Sequence, residues 1–194
     1  MPVTQFLNPI IDSTKPRAVV DYMQWMSTLE IKKELSSKHN NFSILMVNID
    51  YDNNSGNIVR TANAMGAIEV ILYGRRNFDR RSSMGTEFYT NFQLIKYIEE
   101  LDETIADYDL VVGLDNIQGS IDITTYDWSI LNQKTKKPKV LICLGQESTG
   151  LPQEVVNICH QLVHIPQFGS VRSLNVATAT GMAMYDYVTK NTTQ

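Results

Sequence analysis

Three short segments concentrate residue types that could do chemistry. In the first, Asn53-Asn54-Ser55-Gly56 leads into a helix-like run carrying Arg60. Ser55 reads as a helix cap, and the N–H groups behind it would suit an anion. Arg60 cannot face a core unpaired, since an uncompensated buried charge is costly; it lies on the surface or points into a site. The second segment, Gly145-Gln146-Glu147-Ser148-Thr149-Gly150-Leu151-Pro152, sets two glycines around one carboxylate. Glycine allows positive φ and close backbone approach to a ligand. A tight turn into a helix starting at Pro152 explains the glycines but not Glu147. In the third, Pro166 ends a strand, Gly169 allows a turn, and Ser173 or Asn175 can cap the final helix. Leu174, between two polar residues, offers an apolar surface to a flat heteroaromatic ring whose edge backbone amides could read. A capped helix and a tight turn remain the plain structural alternatives for each segment.

These segments need a frame. From Phe42 on, ILMVNI (44–49), IEVILY (68–73), FQLIKY (92–97), LVVGL (110–114), VLICLG (140–145) and LVHIP (162–166) are short apolar runs. Between them lie SGNIVRTANAM, IEELDETIADY, LPQEVVNIC and LNVATATGMAMYDYV, each of helical character. Near-continuous apolar strands alternating with helices predict an α/β domain with a parallel sheet covered on both faces. Gly66 fits the position just past the first helix. In such sheets ligands bind beyond the carboxyl ends of the strands, which is where the three segments fall. Upstream, Ser13-Thr14-Lys15-Pro16 reads as a helix start. Val19, Val20, Met23, Met26, Leu29 and Ile31 then recur at helical spacing to about Lys38. Residues 1–40 are thus expected to be an N-terminal helical extension, and 41–194 the main domain.

At 43% hydrophobic and 20% charged, the composition is that of an ordinary globular domain. A net charge of −4 argues against binding nucleic acid through a generally basic surface. Local patches remain: Arg75, Arg76, Arg80 and Arg81 are four of seven arginines, and Lys134, Lys136, Lys137 and Lys139 form a second cluster. Cys143 and Cys159 are expected as buried, reduced thiols, which fits an intracellular compartment. No stretch reaches the ~18 apolar residues of a membrane span, and no secretory signal is visible, so the expected location is cytoplasmic.

Taken together, the segments resemble the three signature motifs of the SpoU (TrmH-like) family in the SPOUT superfamily of RNA methyltransferases, over about Phe42 to Val188. The residues are Asn54-x-Gly56-x-x-x-Arg60-Thr61-Ala62, with Gly66 following; Leu144-Gly145-x-Glu147-x-x-Gly150-Leu151; and Ile165-Pro166-x-x-Gly169-x-Val171-x-Ser173-Leu174-Asn175-Val176. The resemblance implies a C-terminal deep trefoil knot after about Val140, a feature that sequence physics would not anticipate. It implies S-adenosyl-L-methionine as cofactor and methyl transfer to a ribose 2′-hydroxyl of tRNA or rRNA. Leu114, Gly145, Ile165 and Leu174 would line the adenosine pocket. Arg60 would be catalytic, helped by Asn54 and Glu147, with Ser173 and Asn175 shaping the site. Two roles stay open for Arg60: a perturbed base, or a cation that anchors phosphate and stabilises the forming alkoxide. A homodimer is implied, with the final helix carrying small and apolar residues suited to the contact. Asn57 departs from the small or apolar residue common at its position. Arg75, Arg76, Arg80 and Arg81 follow the second strand, where relatives approach RNA, and are the candidate RNA contacts.

A catalytically inactive RNA-binding or assembly module of the same fold is the alternative. Intact Asn54, Arg60, Glu147, Ser173 and Asn175 count against it. A dehydrogenase lacks support because no G-x-G-x-x-G is present. His160 and His164 straddle a helix end and a strand, so no metal site is expected.

Overall fold

Every residue from Phe42 to Val47 is buried, and all but Ser43 are apolar, as a strand covered on both faces requires. The computed structural model describes residues 19–47, 52–74, 79–129, 138–146 and 148–192. Among these the strands are β1 (Phe42–Val47), β2 (Val70–Tyr73), β3 (Phe92–Ile95), β4 (Leu110–Leu114), β5 (Ile121–Asp122), β6 (Val140–Leu144) and β7 (Gln161–His164). The helices are α1 (Thr28–Ser36), α2 (Asp52–Ala64), α3 (Ile98–Ile105), α4 (Gln153–Ile158) and α5 (Val176–Thr192). The strands form one sheet in the order β3-β2-β1-β6-β4-β7-β5, and every neighbouring pair is parallel. The expected α/β architecture is present, with six of the strands falling within a few residues of the apolar runs. β5 was not anticipated, because two residues carry no periodic signal.

Strand alternation sorts the core into two layers. Phe42, Ile44 and Met46 of β1 and Val140, Ile142 and Leu144 of β6 pack under Ile58, Val59 and Ala62 of α2 and Ala183, Met184 and Tyr187 of α5. On the opposite face Leu45, Val47, Leu141 and Cys143 meet Leu101 of α3 and Val155 of α4. α2 ends as expected at Gly66, whose φ of 71° permits the turn; the Ala67 N–H donates to the Ala62 carbonyl at 2.9 Å. The C-terminal half of α5 is fastened twice. Tyr187 meets Trp128 edge to face at 5.3 Å, and Trp128 Nε1 donates to Asp186 at 2.8 Å. Lys190 donates to the carbonyls of Ile123, Thr124 and Tyr126 and pairs with Asp186. These contacts fix the axis of α5 and so aim its N-terminus at the sheet's carboxyl edge.

The N-terminal region departs from expectation. The Ser13–Pro16 start lies outside the described residues. Asp21–Met23 is a short 3₁₀ turn, and the α-helix begins only at Thr28, capped by Ser27, whose hydroxyl accepts the Glu30 N–H while Glu30 accepts the Ser27 N–H. This capping box resets the helical phase. Ile31 is 1% exposed and packs with Met23 and Tyr89, whereas Leu29 is 78% exposed and Val20 also faces outward. Cys143 is buried, and burial pushes its thiol pKa up, but Cys159 is only half-buried, contrary to expectation. Its thiol donates to the Val155 carbonyl at the end of α4.

If α1 is docked through Ile31 as this packing shows, Ile31→Ala lowers the unfolding free energy by about 2–4 kcal/mol. Urea denaturation measures this; a loss below about 0.5 kcal/mol means the helix adds little to the folded unit.

Candidate functional site

The carboxyl ends of β6, β4 and β7 lie side by side, and the segments leaving them close around a cavity of about 200 Å³. Leu114, Gly145, Ile165 and Leu174, the four expected pocket residues, all line it, as does Ser173. Sequence reasoning did not select Asp115, Gln146, Gln167 or Arg172, which line it too. Asp115 could have been suspected as the charged residue directly after an apolar strand. The others gave no signal apart from lying inside the motifs.

The second segment is built by backbone contact. A Cβ on Gly145 would lie 2.2 Å from the Gly150 carbonyl carbon and 2.3 Å from the Leu151 nitrogen, so no other residue fits there. Gln146 and Gly150 exchange both backbone hydrogen bonds, at 3.0 and 2.9 Å. Asp115 closes the turn from β4: its Oδ2 accepts the Leu151 N–H at 2.8 Å, and its own N–H donates to the Val163 carbonyl. Through its carboxylate and its backbone N–H, Asp115 thus ties the end of β4 to the Gly145–Leu151 turn after β6 and to β7. Glu147 lies outside the described residues.

The third segment ends in Asn175, which caps α5. Its Oδ1 accepts the N–H groups of Ala177 at 3.0 Å and Thr178 at 3.2 Å, while its Nδ2 donates to Asn54 Oδ1 at 3.0 Å. Of the two expected caps, Asn175 makes the bond. This joins α5 to α2, and with it the third motif to the first. Arg60 is exposed on α2 and lines an open groove with Asn57, Thr61, Asn175 and Thr178. No described carboxylate pairs with it. Cavity and groove therefore meet at the α5 N-terminus, Ser173 and Leu174 on one side and Arg60 on the other.

Ser55 corrects the reading of the first segment. It is buried inside α2, which begins at Asp52, and does not cap the helix. Gly56 admits a close approach: a Cβ there would lie 2.8 Å from the Asp79 carbonyl oxygen and 3.0 Å from the Ser83 nitrogen. The turn Arg80–Ser83 thereby sits on α2 near its start. Arg80 is half-buried, and Arg81 is exposed and paired with Asp79, Nε to Oδ2 at 2.8 Å. Arg75 and Arg76 lie outside the described residues, as do Lys134, Lys136 and Lys137. His160 Nδ1 accepts the Val111 N–H, and His164 Nδ1 faces Ser120 Oγ, so neither ring is directed to the other.

A parallel α/β sheet with a cavity at adjacent strand ends, walled by leucines and isoleucine and closed by glycine-tight backbone, defines the class of open α/β domains that take ligands at the carboxyl edge of the sheet. The sequence profile of the SpoU rRNA Methylase family matches residues 41–185, and the chain belongs to that family. It is 31% identical over 157 residues to the 23S rRNA (guanosine-2′-O-)-methyltransferase RlmB of Acinetobacter baylyi, covering 76% of this chain and 60% of that protein. The AdoMet-bound rRNA methyltransferase from Sinorhizobium meliloti superposes with a TM-score of 0.66 at 29% identity, over 79% of this chain and 59% of that one. The TrmH/SpoU tRNA modifying enzyme of A. aeolicus shares the fold with a TM-score of 0.72 at 20% identity, over 86% and 83% of the two chains. The chain therefore spans about three fifths of the length of the first two relatives.

Removing the Asn175 side chain loses both the cap and the link to α2. Asn175→Ala lowers unfolding free energy by about 1–2 kcal/mol, whereas Asn175→Asp, which keeps the capping acceptor, loses less than half as much. Equal losses in urea denaturation would show that the cap is not what Asn175 contributes.

Proposed function

We propose that the protein transfers a methyl group from S-adenosyl-L-methionine to a ribose 2′-hydroxyl of tRNA or rRNA. The observation that carries this reading is the junction at Asn175, which sets an adenosine-sized cavity beside a groove holding an exposed arginine. The residues present suit the cofactor. Leu114, Ile165 and Leu174 offer apolar faces to a purine, while Asp115 and Arg172 are the acid and base that could meet its ammonium and carboxylate. At about 200 Å³ the cavity is below the ~300 Å³ typical of small-molecule sites, so it would hold part of the cofactor rather than all of it. The Sinorhizobium meliloti relative is bound to AdoMet, and the Acinetobacter baylyi relative is a guanosine 2′-O-methyltransferase.

When bound, S-adenosyl-L-methionine supplies a methyl group already activated on a sulfonium. The protein's part is to place the hydroxyl in line with it, and such orientation lowers a barrier by several kcal/mol. Arg60, exposed in the groove, is read as the cation that anchors an RNA phosphate and stabilises charge developing on the attacking oxygen. Asn54 and Asn175 hold α2 and α5 together and so set the distance between Arg60 and the cavity. Ser173 is read as shaping the cavity, which it lines, and Glu147, two residues after Gly145 in the sequence, as a helper of Arg60. Arg80 and Arg81, carried on the turn that Gly56 admits, and Arg75 and Arg76 just before it, are read as RNA contacts. Local charge of this kind suffices for phosphate binding in an acidic protein.

The same reading includes the trefoil knot, a methyltransferase domain from residue 41, and residues 1–40 as its extension. It also includes a cytoplasmic setting; no helix among the described residues is long and apolar enough to cross a membrane. A homodimer is part of it, supported by the outward-facing Met182 and Tyr185 of α5 and the exposed Phe168 and Val171 nearby in sequence. Light scattering at the mass of two chains checks that point, and a single-chain mass contradicts it.

Arg60→Ala separates the two halves of the site. It should reduce methyl transfer at least about 100-fold while S-adenosylhomocysteine affinity, measured by calorimetry, changes less than about twofold. Full transfer activity in Arg60→Ala removes Arg60 from the mechanism; loss of cofactor affinity places it in the wrong half of the site.

A further inference from the structure

The chain has two cysteines, and methyl transfer as described above uses neither. They bracket the second motif: Cys143 lies on β6 two residues before Gly145, and Cys159 directly follows α4. Both are free thiols. β4, the strand between β6 and β7, brings them together. Its Gly113 is the register partner of Cys143, so a side chain at 113 would point to the same side of the sheet as the Cys143 thiol, about 4.8 Å away. A Cβ on Gly113 would lie 3.0 Å from Cys159 Sγ. Glycine inside a strand often marks a close approach. Here the approach is made by Cys159, whose sulfur fills the lane beside Cys143. Burial, and after it the contact with Cys159, pushes the Cys143 thiol pKa up.

The two thiols differ in access. Cys143 is fully buried, whereas Cys159 is half-buried and donates to the Val155 carbonyl at 3.1 Å. A small oxidant therefore reaches Cys159 first. Hydrogen peroxide converts that thiol to a sulfenic acid and releases one water. Cys143 then gives up its proton and attacks the oxidised sulfur, and a second water leaves as the S–S bond forms. Two thiols lose two electrons, which reduce the peroxide O–O bond. Bonded sulfurs sit about 2.0 Å apart, far closer than non-bonded ones, so the step draws the end of α4 toward β6. The backbone between them has no slack to absorb this. Gly145 already lies against Gly150 and Leu151 with no room for a Cβ, and Asp115 holds the Leu151 N–H. Leu144, Gly145, Gln146 and Gly150 line the cavity, so the displacement reaches its wall.

We propose that Cys143 and Cys159 form a redox switch on the cavity: peroxide closes a disulfide between them, and the closed form binds the cofactor more weakly. The identity of that cofactor rests on the S-adenosyl-L-methionine reading above; formation of the disulfide does not.

The test oxidises the folded full-length chain with stoichiometric hydrogen peroxide. Peptide mass spectrometry without reductant locates any cross-link, and calorimetry measures S-adenosylhomocysteine affinity before oxidation, after it, and after dithiothreitol. Expected are a Cys143–Cys159 cross-link and a loss of affinity of at least about fivefold, the lower end of ordinary coupling between sites, restored by dithiothreitol. Cys159→Ser, whose hydroxyl can still donate to Val155, should bind as the reduced wild type does and keep that affinity in peroxide. Cys143→Ala should be equally insensitive, which covers the case in which one variant folds poorly. The proposal fails if peroxide leaves both thiols intact or carries Cys159 to sulfinic acid without a cross-link. It fails also if the cross-linked protein binds as tightly as the reduced one, or if either variant loses affinity in peroxide as the wild type does. Reduced, folded protein that binds no S-adenosylhomocysteine overturns the cofactor reading, a result distinct from the cross-link seen by mass.

Discussion

The side chain of Asn175 faces two ways, and the arrangement of the site depends on both bonds. Its oxygen satisfies the first free N–H groups of α5, and its nitrogen reaches Asn54 across a sequence gap of 121 residues. Remove the first and the long helix begins at no fixed residue. Remove the second and α2, which carries Arg60, loses its tie to the N-terminus of α5. The packing positions helices to within side-chain sliding distance; a hydrogen bond between two short amides sets them to a few tenths of an ångström. Methyl transfer between a cavity and a groove would need that finer tolerance, since small misplacements are costly in reactions driven by orientation.

The rest of the molecule makes that junction possible. The far end of α5 is fixed by Trp128, Tyr187 and Lys190, so its N-terminus has little freedom to wander. Parallel pairing of β6 with β1 and β4 brings the Gly145 segment to the centre of the carboxyl edge. There Gly145 and Gly150 let two backbone passes lie closer than any side chain would allow, and Asp115 ties them to β4. α1 stands apart from this machinery: it rests on Met23, Ile31 and Tyr89 in a separate apolar cluster.

Much of this was legible in the sequence because apolar runs and glycine spacing report backbone constraints directly. Six of the strands and the Gly66 helix end follow from such signals, while the common location of Leu114, Gly145, Ile165 and Leu174 was implied by the family resemblance. What escaped were features decided by tertiary contact. Ser55 has the chemistry of a cap but lies inside a helix that starts three residues earlier. Gly56 reads as conformational freedom and is in fact clearance for the Arg80–Ser83 turn. The Ser27–Glu30 capping box restarts the helix inside the apolar spacing that runs from Val19 to Ile31, so Leu29 faces solvent while Ile31 is buried. Asp115, Gln167 and Arg172 entered the site only when three strand ends were set side by side.

The measurement closest to the central claim is transfer of labelled methyl from S-adenosyl-L-methionine to RNA drawn from cells lacking this gene, followed by alkaline hydrolysis. A methyl on the ribose 2′-oxygen blocks cleavage of the adjoining phosphodiester. The account predicts label in alkali-resistant dinucleotides, confirmed as 2′-O-methylnucleosides by mass spectrometry. Label confined to single nucleotides with a methylated base would contradict it.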